Sequence, residues 1–322
     1  MVGRGTRPPA ERNVPRNATG DMSSVPGQES LTHVVEEAVG QTVAAVTPVS
    51  GGDIAHAFRV ELVGDSASLF AKTLPTPPPS LFSAEARGLQ FLAAASGGVP
   101  VPEVVPVADT AIVLRWIDAG PPSPDRAEEF GRRLAMTHAD HPDAFGTDGG
   151  VDGYIGTLPL PGGPWVFPRE SWPQMWREGR VLPYLRAAAD AGAIDADDQR
   201  DIDTLLDRLD EVAGPPEPPA RIHGDLWSGN VHWSADGPAY VIDPAAHGGH
   251  RETDLAMLAL FGLPYLERVI AAYDETSPLA DGWRERIPLH QLHPVLVHAV
   301  LFGGSYGAHA GSLARRMLRL SD

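Results

Sequence analysis

The sequence predicts an α+β protein of two lobes, a small N-terminal sheet lobe and a larger, mainly helical one. Three observations carry this. The first is length: 322 residues suffice for about two domains at the usual ~150 residues each. The second is a change of pattern. From Gln41 to about Ile117 the apolar residues come in short runs bounded by Gly, Pro and Ser, as strands do, whereas beyond residue 124 they recur at helical spacing. The third is composition: 43% hydrophobic and 21% charged residues lie near the globular average and exclude a disordered or fibrous chain.

Taken in order, residues 1–28 have few apolar residues, much Gly, Pro and Ser and no periodicity, the pattern of a flexible tail without the apolar core of a secretory signal. TVAAVTPVS, AFRVELV and SLFAKTL read as three strands, the first two joined by a turn at Gly51-Gly52. After the Pro-rich stretch 75–79, Leu81, Leu89 and Leu92 form one helical stripe with Glu85 in its middle. A carboxylate on a buried stripe needs a partner. VPEVVPV and AIVLRWI add two strands, and Gly120-Pro121-Pro122 closes the region. The expected small lobe therefore spans 29–117 and the large lobe 118–322. Helices are expected at 125–140, 171–190 and 196–212, with a Gly/Pro-rich loop at 146–168 and a break at PPEPP, 215–219. A short strand, a polar loop and a hairpin follow, with VHW and AYVI flanking the turn SADGP. Residues 290–314 carry no formal charge, but His, Gly and Pro interrupt them, so they read as a helix buried in the larger lobe and not as a membrane span.

Charge narrows the partners. Lys+Arg 25 against Asp+Glu 42 leaves −17, which repels phosphate backbones and anionic lipid and argues against nucleic-acid and membrane-surface partners. With no cysteine, disulfides, thiolate nucleophiles and Cys-ligated metals are excluded, and a reducing cytoplasm fits. Of the 25 basic residues, all but Lys72 are Arg. A drift toward Arg has replaced Lys wherever a generic positive charge suffices, so Lys72 marks a site that a planar guanidinium cannot serve.

The segment RIHGDLWSGNVHWSADGPAYVID, Arg221–Asp243, is the most informative. A strand ends in His223-Gly224-Asp225, Asn230 lies five residues after Asp225, and a hairpin returns to Asp243. Three oxygen-bearing side chains thereby converge, an arrangement that suits phosphoryl transfer from a nucleotide. Asp225 would accept the proton of the attacking hydroxyl, while Asn230 and Asp243 would offer oxygens to Mg2+. Ser50-Gly51-Gly52-Asp53 could lay backbone N–H groups over a triphosphate, although no GK[ST] is present. Lys72 would grip the phosphates and Glu85 hold its ammonium. Trp227, inside the catalytic loop, is either a platform for a sugar or a core residue wedging the loop. His223 reads as structural, its ring fixing the loop backbone. So do His247, His250, His290, His293 and His298, which lack carboxylates at metal-ligand spacing.

SGGDI, FAKT, EARGL, HGDLWSGN and IDPAAHGGHRETDLAMLALFG together resemble the fructosamine-3-kinase (ketosamine-3-kinase) family, within the protein-kinase-like fold shared with aminoglycoside and choline kinases. GRRLAMTHAD, FGTDGGVDGYIGTLPLP and LFGGSYG extend the resemblance, which runs from about residue 29 to the C-terminus. It implies ATP-dependent phosphorylation of the sugar 3-hydroxyl of ketoamines, free or protein-bound, as a deglycation repair. In family terms Asp225 matches the base, Asn230 and Asp243 the metal ligands, and Lys72 and Glu85 the ATP-anchoring pair. Asp254 matches an acid that supports the catalytic loop. The backbone of Leu114–Ile117, with Arg115 and Trp116 at its centre, matches the segment that hydrogen-bonds adenine. Two departures stand out. Asp53 occupies a position where family members often carry Cys, and LPLPGG lacks the Gln and Asn expected there. The alternatives are a kinase for an aminoglycoside, a choline-like alcohol or another hydroxyl, and, from another class, a non-catalytic nucleotide-binding scaffold. The scaffold predicts a missing Lys, base or metal ligand, and none is missing; HRD and DFG, which a protein kinase would carry, are absent.

Overall fold

The computed structural model describes residues 28–50, 55–65, 67–163 and 172–320. The N-terminal tail and Gly51, Gly52 and Asp53 lie outside them. Helix α1 (Gln28–Val39) opens the described chain. It is unassigned in the sequence analysis because Leu31 and Val35, its buried pair, are too few to mark a periodic stripe. Strands β1 (Val43–Val49), β2 (His56–Leu62) and β3 (Ser68–Thr73), helix α2 (Leu81–Ala93) and strands β4 (Val104–Ala108) and β5 (Ala111–Arg115) follow. The strands form one antiparallel sheet in the order β1-β2-β3-β5-β4. β5 reads AIVLR without apolar-polar alternation because both its faces are covered. Ala111 and Val113 join the cluster beneath α1, and Ile112 and Leu114 the cluster beneath α2.

The rest is mainly helical. Helix α3 (Pro124–Ala139) starts on a Ser123 cap with Pro at its first turn. Then come a hairpin of β6 (Gly153–Ile155) and β7 (Leu158–Leu160), helix α4 (Trp172–Trp176), a π-helical turn (Arg177–Val181) and helices α5 (Leu182–Asp190), α6 (Ala196–Asp207) and α7 (Leu209–Val212). Strands β8 (Ala220–Ile222), β9 (Val231–Trp233), β10 (Ala239–Val241) and β11 (His247–Gly249) precede helices α8 (Arg251–Phe261), α9 (Leu266–Thr276), α10 (Trp283–Phe302) and α11 (Tyr306–Leu320). β8 pairs with β11 and β9 with β10, both antiparallel.

Two expectations are corrected. The loop expected at 146–168 contains the β6–β7 hairpin, whose buried Ile155 and Leu160 are too few to show alternation. The single helix expected over 290–314 is two helices, because Gly303 and Gly304 adopt φ of 64° and 63° and a helix cannot continue through that region. α11 then packs back on α10 and α6. Among the described residues, no helix is long and apolar enough to cross a membrane.

Candidate active site

The site forms where α2 leans on the segment that follows β10. Gly88 makes that approach possible: a Cβ there would lie 3.2 Å from Pro244 Cγ and 3.4 Å from Ala246 Cβ. Glu85 stands one turn before Gly88 on the same helix face, so close packing at Gly88 delivers Glu85 to Asp243. Lys72, from β3, fills the space between. Its Nζ is 2.6 Å from Glu85 Oε2 and 2.8 Å from Asp243 Oδ1. Burial penalises the ammonium, yet the carboxylates of Glu85 and Asp243 outweigh it and hold the Lys72 pKa above its ordinary value. Burial pushes Glu85 up to about 7 against the pull of Lys72, with Asp243 adding repulsion. Asp243, although burial opposes it, is held below the usual carboxylate range by Lys72. Its φ of 54° is strained for a non-glycine residue, as residues at functional sites often are.

The loop between β8 and β9 brings the remaining groups. Asn230 is buried, and its Nδ2 donates to Asp225 O at 2.8 Å and Asp225 Oδ2 at 3.3 Å. Asn230 O accepts from Ile242 N at 3.1 Å, which closes the hairpin and seats Asn230 beside Asp243. Burial and the neighbouring Asp243 raise the Asp225 pKa to about 8, with Asn230 pulling the other way. The His223 ring spans the two chain segments. Nδ1 accepts the Asp225 N–H at 3.2 Å, so Nε2 carries the proton and donates to Ile242 O at 2.8 Å. Burial lowers its pKa, keeping it in that neutral tautomer.

Behind the loop, Asp254 on α8 accepts the N–H of His223 at 2.7 Å and of Gly224 at 2.9 Å. His138 Nε2 lies 3.1 Å from Asp254 Oδ2, and its Nδ1 is 2.9 Å from the Tyr273 hydroxyl. Against the burial penalty, His138 and the loop N–H groups keep Asp254 below the usual carboxylate range. No spacing in the sequence links His138 and Tyr273 to this chain of bonds; His138 is visible only as a buried-stripe residue of α3.

A cleft of about 2140 Å³ contains Lys72, Glu85, Asp225, Trp227, Asn230 and Asp243, with Arg115 and Trp116 on its wall. Gly51, Gly52 and Asp53 lie outside the described residues. The Arg115 and Trp116 N–H groups are taken by Glu103 O and Ser68 O, at 2.9 and 3.1 Å. Their side chains face other residues: Arg115 Nε is 3.5 Å from Glu103 Oε2, while Trp116 stacks under Arg59, 4.9 Å away, and donates to Asp118. Trp227 is 36% exposed and is no core wedge. Its ring covers Gly229, where a Cβ would collide with it, and meets the edge of Phe261 at 5.9 Å.

The carboxylates of Glu85 and Asp243 flank the ammonium of Lys72, and Asp225 lines the same cleft. Asn230, whose Nδ2 is committed to Asp225, presents a carbonyl oxygen as well. This hard-oxygen donor set fits a divalent cation such as Mg2+, which Asn230 and Asp243 could hold.

An antiparallel sheet lobe stacked on a helical lobe, with a nucleotide-sized cleft between, is the architecture of the kinase-like phosphotransferases. An aminoglycoside phosphotransferase superposes with a TM-score of 0.56 over 90% of this chain and 98% of its own, at 18% identity. Residues 28–320 match the model of the fructosamine kinase family, and the chain belongs to that family. It is thus an ATP-dependent phosphotransferase. A probable ketoamine kinase of Thermus thermophilus is 36% identical over 80% of this chain and 88% of its own. A Thermobifida fusca protein provisionally named a fructosamine-3-kinase superposes with a TM-score of 0.84 at 52% identity, covering 91% of this chain and all of that one, 100%.

Proposed function

We propose that the chain transfers the γ-phosphoryl group of ATP to the sugar 3-hydroxyl of a ketoamine, a fructosamine or ribulosamine carried on lysine or a small amine. The observation that carries this reading is the meeting, in one cleft, of the Lys72 ammonium bridging Glu85 and Asp243 with Asp225 and Asn230. The family and the names of its relatives point to the ketoamine. ATP would lie between a lobe of residues 29–117 and a lobe of residues 118–322, and a magnesium ion on Asn230 and Asp243 would neutralise charge on its phosphates.

The residues then divide the work. Lys72, oriented by Glu85, places a compact positive charge against the phosphates. Asp225 takes the proton of the sugar hydroxyl and aims its oxygen in line, while Asn230 holds the Asp225 carboxylate at 3.3 Å. His223 and Asp254 hold the loop, and Trp227 offers a ring face to the sugar. Ile117 has an N–H without a partner among the described residues; with those of Arg115 and Trp116 engaged, it is the donor available to adenine.

Incubation with ATP, Mg2+ and either ribulosyl-lysine or fructosyl-lysine tests the reading. Mass spectrometry should show one added phosphoryl group, and NMR should place it on C3. Turnover of aminoglycosides or choline without any ketoamine would overturn it, and nucleotide binding without turnover of any acceptor would favour a scaffold.

A further inference from the structure

A second constellation lies behind the catalytic loop, on the far side of the β8–β11 pair. Arg180, in the π-helical turn, is 2% exposed. Its Nε donates to His247 Nε2 at 3.2 Å and its Nη1 to the carbonyls of Pro161 and Gly179, both at 2.9 Å. Nη2 has no partner, and no carboxylate acts on the guanidinium among the described residues. His247 cannot serve as counter-charge. Its Nδ1–H donates to Ala245 O at 2.8 Å, so the ring is neutral, and burial and Arg180 keep its pKa well down.

Arg180 lines a small, partly enclosed cavity with Trp172, Trp176, Ile222, His247 and His293, among others, and among the described residues no Asp or Glu contributes to its wall. Its volume, about 10 Å³, is that of one water-sized body. Two other buried nitrogens on this wall are also unpartnered, Trp176 Nε1 and His293 Nε2. Indole and guanidinium nitrogens only donate. The cavity therefore gathers N–H donors and a full positive charge, with no negative charge among the described residues to balance them. A buried charge is retained only when it is paired.

We propose that this cavity binds a monovalent halide-sized anion, chloride in solution, as the counter-ion of Arg180. A neutral water would accept the hydrogen bonds but leave the charge unbalanced. The site braces the active centre from behind. His247 pairs with Ile222, and its Cε1 would lie 3.0 Å from a Cβ at Gly224, so the ring rests directly on the loop that carries Asp225.

The adjacent His250, Glu252 and His290, whose ligand atoms lie within 4.8 Å of one another, do not compete as a cation site. Arg286 clamps both Glu252 oxygens at 2.9 and 2.6 Å, and His250 Nδ1 already accepts the Glu252 N–H at 3.2 Å.

The test uses the full chain in gluconate buffer, titrated with chloride or bromide at constant ionic strength. The expected result is a rise in Tm that grows with the logarithm of halide concentration above its Kd, about 4 °C at one hundred times that Kd. Crystals grown in bromide should show an anomalous peak against Arg180, and Arg180→Met should lose the halide-dependent rise. A Tm indifferent to halide, or a cavity holding a water and no bromide peak, overturns the proposal. Should Arg180→Met fail to fold, the titration and the bromide crystals of the unaltered protein decide the matter.

Discussion

Lys72 holds two carboxylates from one nitrogen, at 2.6 and 2.8 Å. A tetrahedral ammonium does this with separate N–H bonds, whereas a guanidinium is flat and wide and would have to displace α2 or the Asp243 turn. Lys72→Arg, which conserves charge, should therefore lower kcat/KM for ATP by about 100-fold, as measured by coupled ATP consumption; activity within threefold of the parent would refute this role. Asp225→Asn preserves volume but cannot take a proton, and should cost about 10²–10⁴ in kcat with an unchanged circular-dichroism spectrum. Near-normal turnover would remove Asp225 as the base. At this scale the sequence was legible where chemistry is concentrated in one segment or one residue type. The lone lysine and the spacing of Asp225, Asn230 and Asp243 are both of that kind. The partners of Asp254 were not, because His138 lies 116 residues away and nothing local ties the two together.

Helices and strands position these groups through close backbone contacts. α3 carries His138 and lies against α9, and a Cβ at Gly131 would collide with the backbone of Val269. A backbone carbonyl cannot swing aside as a long side chain can. Gly131→Ala should accordingly destabilise the fold by about 1–3 kcal/mol, read as a lower urea midpoint with an unchanged m-value. An unchanged midpoint would mean that α3 and α9 can separate freely. Strand and helix types were readable from periodicity in most places. The misses have specific causes: α1 buries only two residues of its stripe, β6 and β7 are three residues each, and Gly303-Gly304 ends a run that hydropathy alone would continue.

Over the whole molecule, buried titratable groups set the response to acid. His250 is pushed down to about 3 by burial and the neighbouring His290, His247 and His293 are lowered by burial and Arg180, and His223 is lowered by burial. These rings stay neutral in the fold but take up protons in the unfolded chain below its pKa of about 6.5. Their stabilisation is complete above pH ~6.5 and is lost as pH falls, by up to ~1.4 kcal/mol per pH unit for each. Asp225 and Glu85, raised to about 8 and about 7, act in the opposite sense. Between pH 8 and ~4 the fold binds their protons more tightly than the unfolded chain does, which offsets two of the four imidazoles. Glu252 is held at about 2 despite burial, by His290 and Arg286, and adds its own loss below pH ~4.5. Stability from urea unfolding should thus rise modestly from pH 8 to about 6.5 and fall below it, most steeply below about 4.5; a stability that does not rise between pH 8 and 6.5 would show that the raised carboxyls do not titrate as the geometry requires.

Composition, the single lysine and the motif around Asp225 already determined the fold class, the kind of chemistry and most of the residues that meet in the cleft, since each is written in local residue types and spacing. Tertiary structure decided what depends on distant segments meeting: the Gly88 contact that brings Glu85 to Asp243, the His138–Asp254 support behind the loop, the engaged N–H groups of Arg115 and Trp116, and the unbalanced charge of Arg180. The physical reason is that pairing and burial are properties of neighbours in space, and a sequence lists only neighbours along the chain.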